Sequence, residues 1–156
     1  MKSFSFQLVL VALALALPCA SAREASPTVV AIEPQLGAAF AMPHPSHLEM
    51  IASAQMSPAT QIRYAGVIYT VAVSRAGRIV YVATSDPAFK TPEGFTITSQ
   101  LSQLLSTGIS QPLREPGWAY HTSLPSGWHA AFTSGQSYTG SPLRPDSRVQ
   151  WFFKRQ

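Results

Sequence analysis

The order of hydrophobic and polar positions predicts two β-hairpins, two short helices and a closing strand. Residues 62–73 (IRYAGVIYTVAV) are rich in β-branched and aromatic side chains, and residues 78–84 (RIVYVAT) repeat that character after Ser74-Arg75-Ala76-Gly77. Two such runs around a short glycine-containing loop predict a hairpin. Pairing Val73 with Arg78 sets Val71 against Val80 and Tyr69 against Val82. Val67, Tyr69, Val71, Val80 and Val82 then share one apolar face. In the second hairpin, residues 117–124 (GWAYHTSL) and 128–133 (WHAAFT) flank Pro125-Ser126-Gly127. Leu124 opposite Trp128 puts Thr122 against Ala130 and Tyr120 against Phe132. One face then carries Trp118, Tyr120, Thr122, Leu124, Trp128, Ala130 and Phe132. The other carries Ala119, His121, Ser123, His129, Ala131 and Thr133, and is expected to meet solvent.

Residues 149–154 (VQWFFK) predict a last strand, with Val149, Trp151 and Phe153 on one side and Phe152 on the other. The first predicted helix covers residues 47–56. Ser46-His47-Leu48-Glu49 has the S-x-x-E form of a capping box, and Leu48, Ile51, Ala52 and Gln55 recur at helical spacing. The second covers residues 99–107, with Ser99 as its cap, Leu101, Leu104 and Leu105 as its apolar stripe and Gly108 as its stop. Phe89, in the turn-rich loop 85–94, is expected to tuck back into the core. Residues 23–45, broken by Pro27, Pro34, Pro43 and Pro45, read as a lead-in with one possible strand near 28–32. The expected class is α+β: an antiparallel sheet of about five strands, two hairpins plus a C-terminal strand, with one or two short helices packed on one face. It forms a single domain over residues 46–156.

The start of the chain bears on where it works. Met1-Lys2 is basic, residues 8–17 (LVLVALALAL) are apolar, and Ala20-Ser21-Ala22 has the form of a signal-peptidase site. That order predicts a secretory signal over residues 1–22. The apolar run is shorter than the roughly 20 residues that span a bilayer. The mature chain, residues 23–156, is therefore expected to be periplasmic or secreted. Cleavage after Ala22 removes Cys19, the only cysteine, and with it any disulfide or thiolate chemistry. Pro18 before Cys19 fits a lipid-attachment site poorly. Losing Lys2 also leaves ten Lys and Arg, from eleven, against seven Asp and Glu, a net charge of +3. Arg144, Arg148, Lys154 and Arg155 gather near the C-terminus as a candidate contact for an acidic partner. No dense basic stripe or nucleic-acid reader motif is present, so nucleic acid is not an expected partner.

Catalytic signatures are sparse. There is no G-x-S-x-G elbow and no phosphate loop. Ser126, His129 and Asp86 or Asp146 have no triad spacing. His121 and His129 fall as diagonal neighbours roughly 7–8 Å apart in the predicted hairpin, where they could form a pH-sensitive pair or a partner contact. A third ligand that would make them a zinc site is not visible in the sequence. His44 and His47, near Glu49, form a second loose pair in the lead-in. Glu115, between Pro112 and Trp118, is the one carboxylate expected to be shielded and perturbed. The tryptophans offer stacking on cell-wall sugars as an alternative to core packing. No cofactor is expected.

Ser134-Gly135-Gln136-Ser137-Tyr138 has the form S-G-x-x-Y. This resembles the loop motif of bacterial periplasmic lysozyme inhibitors of the MliC/PliC type, small secreted β-barrels whose motif serine enters the lysozyme cleft. The resemblance covers five residues, three of which define it, and implies that Ser134 and Tyr138 touch a protein partner. The all-β architecture of that family departs from the helices predicted here. The expected function is a non-enzymatic binding protein, as an inhibitor or immunity protein against a cell-wall hydrolase or secreted toxin. Its expected contacts are Ser134, Gln136, Tyr138, His121, His129 and Arg148. The alternatives are an envelope glycan- or ligand-binding module and a small hydrolase.

Overall fold

A computed structural model describes residues 26–31, 33–42 and 44–156; the predicted signal segment lies outside them. The chain order is β1 (Thr28–Val29), β2 (His47–Ala52), β3 (Gln55–Tyr64), β4 (Val67–Val73), β5 (Ile79–Thr84), α1 (Leu101–Ser106), β6 (Leu113–Glu115), β7 (Ala119–Ser123), β8 (His129–Phe132) and β9 (Trp151–Arg155). All nine strands join one mixed sheet in the order β1-β3-β4-β5-β9-β8-β7-β6, with β2 also paired to β3. Among the strand pairs of the described residues, β1 and β3 run parallel and the rest antiparallel. The fold is therefore mostly β, and the expected α+β class with five strands and helices on one face is wrong.

Two misreadings account for most of that difference. Residues 47–56 form no helix; they are β2 and the start of β3, with Met50 paired to Met56. A helix of that length is marginal without tertiary support. Here the backbone groups find partners in a tight hairpin, whose turn residue Ala54 is left-handed at φ 56°. The serine expected to cap the helix instead donates its hydroxyl to the Ala59 carbonyl at 3.3 Å. The second misreading hides a turn inside an apolar run. Ala65 (φ 47°) and Gly66 (φ 86°) both sit at positive φ, as a two-residue I′ turn requires, and split residues 62–73 into β3 and β4.

The β4–β5 hairpin exists with a shifted register. Val73 pairs with Ile79, Val71 with Val82 and Thr70 with Ala83, with a bulge between Ala72 and Val73. A bulge places two residues against one. It moves Ile79 onto the face of Val71 and Val82 and sends Val80 to the opposite face. The β7–β8 hairpin has the register the sequence predicts: Tyr120 faces Phe132, Thr122 faces Ala130, and the Leu124 N–H donates to the Trp128 carbonyl at 2.7 Å. Among the described residues one helix forms, α1, with Leu101 and Leu104 buried; its cap position is Gln100 rather than Ser99.

Both faces of the sheet are buried. The first carries Tyr69, Val71, Ile79, Val82, Trp128, Phe132 and Phe152, covered by Phe89, Phe95, Leu101 and Leu104. The second carries Ile51, Ala59, Ala72, Tyr81, Ala83, Trp118, Ala119, Ala131 and Phe153. Phe152 and Phe153 lie on opposite faces, as predicted, but Val149 joins Phe152 rather than Trp151. Trp118 likewise joins Ala119 and Ala131, not Tyr120. The second face is shielded because the sheet curls. At the turn after β2, the Ser53 N–H donates to Glu115 Oε1 at 2.6 Å and its hydroxyl to the Pro116 carbonyl at 2.6 Å. Those bonds tie β2, near one end of the strand order, to β6 at the other. Among the described residues no helix is long and apolar enough to cross a membrane.

Candidate functional site

Curling leaves a cleft of about 480 Å³ on the second face. Its floor and walls are Tyr81 and Ala83 of β5, Trp118, and Trp151 of β9. Glu49 and Met50 of β2 line it, as do Thr133, Tyr138 and Gln150 from the segments flanking β8 and β9. Trp118 stands edge-on to Trp151 with ring centroids 6.0 Å apart, and its indole N–H donates to the Met50 carbonyl at 2.8 Å. The small Ala83 opens space that a larger side chain would fill. Burial, then the charge of Glu49, push the Tyr81 hydroxyl well above its ordinary range, so it is a neutral donor and acceptor at any physiological pH.

Tyr138 connects the cleft to the 134–138 loop. It is 56% exposed and lies at φ 57°. Among the described residues Ala54 and Ala65 are the other non-glycine residues at positive φ, and both serve hairpin turns. A bulky aromatic at positive φ is an outlier that the surroundings must hold. Here the Ser134 N–H donates to the Tyr138 carbonyl at 2.6 Å, and the Ser134 hydroxyl to the Pro142 carbonyl at 3.2 Å. The next residue, Thr139, is buried and anchors the loop: its carbonyl accepts from Arg114 at 3.0 Å and its hydroxyl from the Gly117 N–H at 3.1 Å. A Cβ at Gly140 would meet Ser137 Oγ at 2.8 Å, so the loop is closely packed as well as bonded. Gln136 is exposed at its tip.

Beside the cleft lies a half-buried ionic cluster. Arg155 donates to Glu115 through Nη2 at 2.7 Å and Nη1 at 3.3 Å, and to the Ile51 carbonyl at 3.2 Å. Its guanidinium sits 4.6 Å from the centre of the Trp118 ring. His121 Nε2 is 3.4 Å from Glu115, and the His121 and His129 rings are 5.5 Å apart. Burial would raise the Glu115 carboxyl, but hydrogen bonds from Arg155 and the Ser53 N–H, with the Arg155 charge, outweigh it and hold it below its ordinary range. Burial lowers His121, Arg155 lowers it further, and Glu115 offsets only part. His129 is lowered by burial, then by His121 and Arg155.

The predicted contact residues separate accordingly. Tyr138 lines the cleft, with Ser134 and Gln136 in its loop. His121, at 7% exposure, is interior, because the face predicted to meet solvent is covered; His129 is half-buried and stacks on Phe153 at 4.8 Å. Arg148 is exposed and bridges Gln100 at the start of α1. The basic C-terminal residues form no single patch: Arg144 pairs with Asp146, Lys154 lies over Trp128 at 5.0 Å, and Arg155 is in the cluster. Ser126 donates its N–H and hydroxyl to Glu93 at 2.6 and 3.0 Å, while His129 Nδ1 is 3.3 Å from Ser123. His47 pairs with Glu49 at 3.1 Å. Among the described residues no group of three or more His, Cys, Asp or Glu is placed to hold a metal ion.

Glu49, Gln150 and the Glu115 and Arg155 pairing were not anticipated as parts of one region. The sequence signals touching the cleft were the motif residue Tyr138 and the three tryptophans read as able to stack, of which Trp118 and Trp151 line it and Trp128 lies on the opposite face. Comparison with protein families, curated proteins and solved structures gave no match for this chain.

Proposed function

We propose that the protein is a non-enzymatic binding protein of the periplasm or the extracellular space. It acts as an inhibitor or immunity protein toward a secreted or periplasmic enzyme, with a cell-wall hydrolase as the most concrete target. The observation that carries this reading is the loop at 134–138, which holds an exposed tyrosine in a strained backbone conformation. Strain of that kind costs of order 1–3 kcal/mol and persists where the surroundings over-determine it, often at sites of function. A loop already fixed by its own hydrogen bonds loses little conformational freedom on binding, so contact energy goes into affinity. Tyrosine is among the residues that dominate protein interfaces, because it offers a large rigid face with a polar tip. The S-G-x-x-Y form of the same loop, similar to that of periplasmic lysozyme inhibitors, supports the choice of target class.

The test is a peptidoglycan-clearing assay with a panel of purified muramidases. Stoichiometric inhibition is expected for at least one, weakened about tenfold or more by Tyr138→Ala, as for the loss of an interface anchor. An absence of inhibition and of complex formation across the panel, with a correctly folded protein, would overturn the hydrolase reading.

A further inference from the structure

We infer that the aromatic cleft is a binding site for an uncharged sugar ring. This assignment does not depend on the protein-partner reading, although Tyr138 belongs to both surfaces. Its volume of about 480 Å³ lies within the ~300–1,000 Å³ usual for small-molecule sites. The lining combines two features that pyranose recognition needs. The first is aromatic surface: Tyr138 is exposed and Trp151 half-buried, while Tyr81 and Trp118, also along the lining, are buried and contribute little ring surface. The C–H faces of a sugar ring are apolar and pack on such rings, while its hydroxyls need donors and acceptors at the edges. The second feature is that edge: Thr70, Thr133, Gln150 and Glu49 surround the aromatics with hydroxyl, amide and carboxylate groups.

Charge narrows the class. Among the described residues no arginine, lysine or histidine lines the cleft, and its one carboxylate, Glu49, would repel an anion. Arg155, in the neighbouring cluster, is engaged by Glu115 and lies over the Trp118 ring. Phosphorylated or uronic-acid ligands are therefore disfavoured, and neutral hexoses or N-acetylhexosamines fit. The carboxylate of Glu49, one oxygen of which is 3.1 Å from His47 Nε2, keeps further lone pairs with which to accept from sugar hydroxyls.

The experiment is a fluorescence titration of the intact protein with tri-N-acetylchitotriose, maltotriose and polygalacturonate. Two of the three tryptophans, Trp118 and Trp151, line the cleft, so occupancy alters emission directly. A saturable change is expected with a neutral trisaccharide and not with the polyanion. Tyr138→Ala and Gln150→Ala are each expected to weaken it several-fold, and Trp151→Phe is expected to retain it while removing part of the signal. Silence from both neutral trisaccharides, a response to the polyanion alone, or unchanged binding in both alanine variants would each overturn the assignment. The titration contains no protein partner, so its outcome is separate from that of the muramidase assay.

Discussion

Glu115→Gln perturbs the contact that closes the curled sheet. The substitution keeps the shape of the side chain and an oxygen that can accept from the Ser53 N–H, but it removes the charge that faces Arg155. Two charge-assisted hydrogen bonds are weakened or lost, and a guanidinium with 24% of its side-chain surface in water is left without a counter-ion. Removing one partner of a fully buried pair costs about 3–5 kcal/mol. The remaining exposure of both groups, and the Trp118 ring still beneath the cation, reduce this to about 2–3 kcal/mol. At roughly 3–4 °C per kcal/mol for a domain of this size, Tm falls by about 6–12 °C. Urea unfolding at pH 7.5 measures the loss directly. A cycle with Arg155→Gln is expected to return a coupling energy of about 1–2 kcal/mol. A Glu115→Gln protein within about 0.5 kcal/mol of the parent, the range of an ordinary surface substitution, would refute the reasoning.

Acid stability follows from the same cluster. His121 and His129 have folded pKa values below the ordinary 6.5, so the unfolded chain takes up protons first. Their contribution is complete above pH 6.5 and is lost as pH falls toward the folded values, at up to about 1.4 kcal/mol per pH unit for each ring. Glu115 adds a loss that begins below its ordinary 4.5 and ends as pH falls through its lowered folded value; Glu115→Gln should erase that second limb in a pH series of urea melts. Gly66→Ala forces a Cβ into a left-handed turn with open space around it, so only backbone strain acts; about 1 kcal/mol is expected by thermal melting. Phe153→Ala, which empties a fully buried position between His129, Tyr81 and Trp118, should cost about 3–5 kcal/mol and is best measured by chemical denaturation.

What could be read from the sequence was what local chemistry decides. Pro125-Ser126-Gly127 fixes a turn, and the register of β7 and β8 follows residue by residue from it. Gly108 and the stripe of Leu101 and Leu104 gave the helix for the same reason. The Ala65-Gly66 turn was hidden because aromatic and branched residues press against it on both sides, leaving no polar break. Leu48, Ile51 and Ala52 matched a helical period by coincidence; pairing with β3 decided the matter, and pairing is not local. Curvature was invisible too. Ala119 and Ala131 are small enough to read as solvent-facing beside His121 and Ser123, yet the curl buries them. Of the residues discussed at the candidate site, Tyr138 was named through its motif and Glu115 through its neighbours. The cleft was not, because Glu49, Tyr81, Trp118 and Gln150 are brought together only by the closure of the sheet.

The central claim is that this protein works by holding another protein through the 134–138 loop. The most direct test is affinity capture from periplasmic and culture-supernatant extracts at moderate salt, on immobilised parent protein beside a folded Tyr138→Ala control. One partner retained stoichiometrically by the parent, and lost from the control, is the predicted result. No protein retained by the parent beyond that control would contradict the claim.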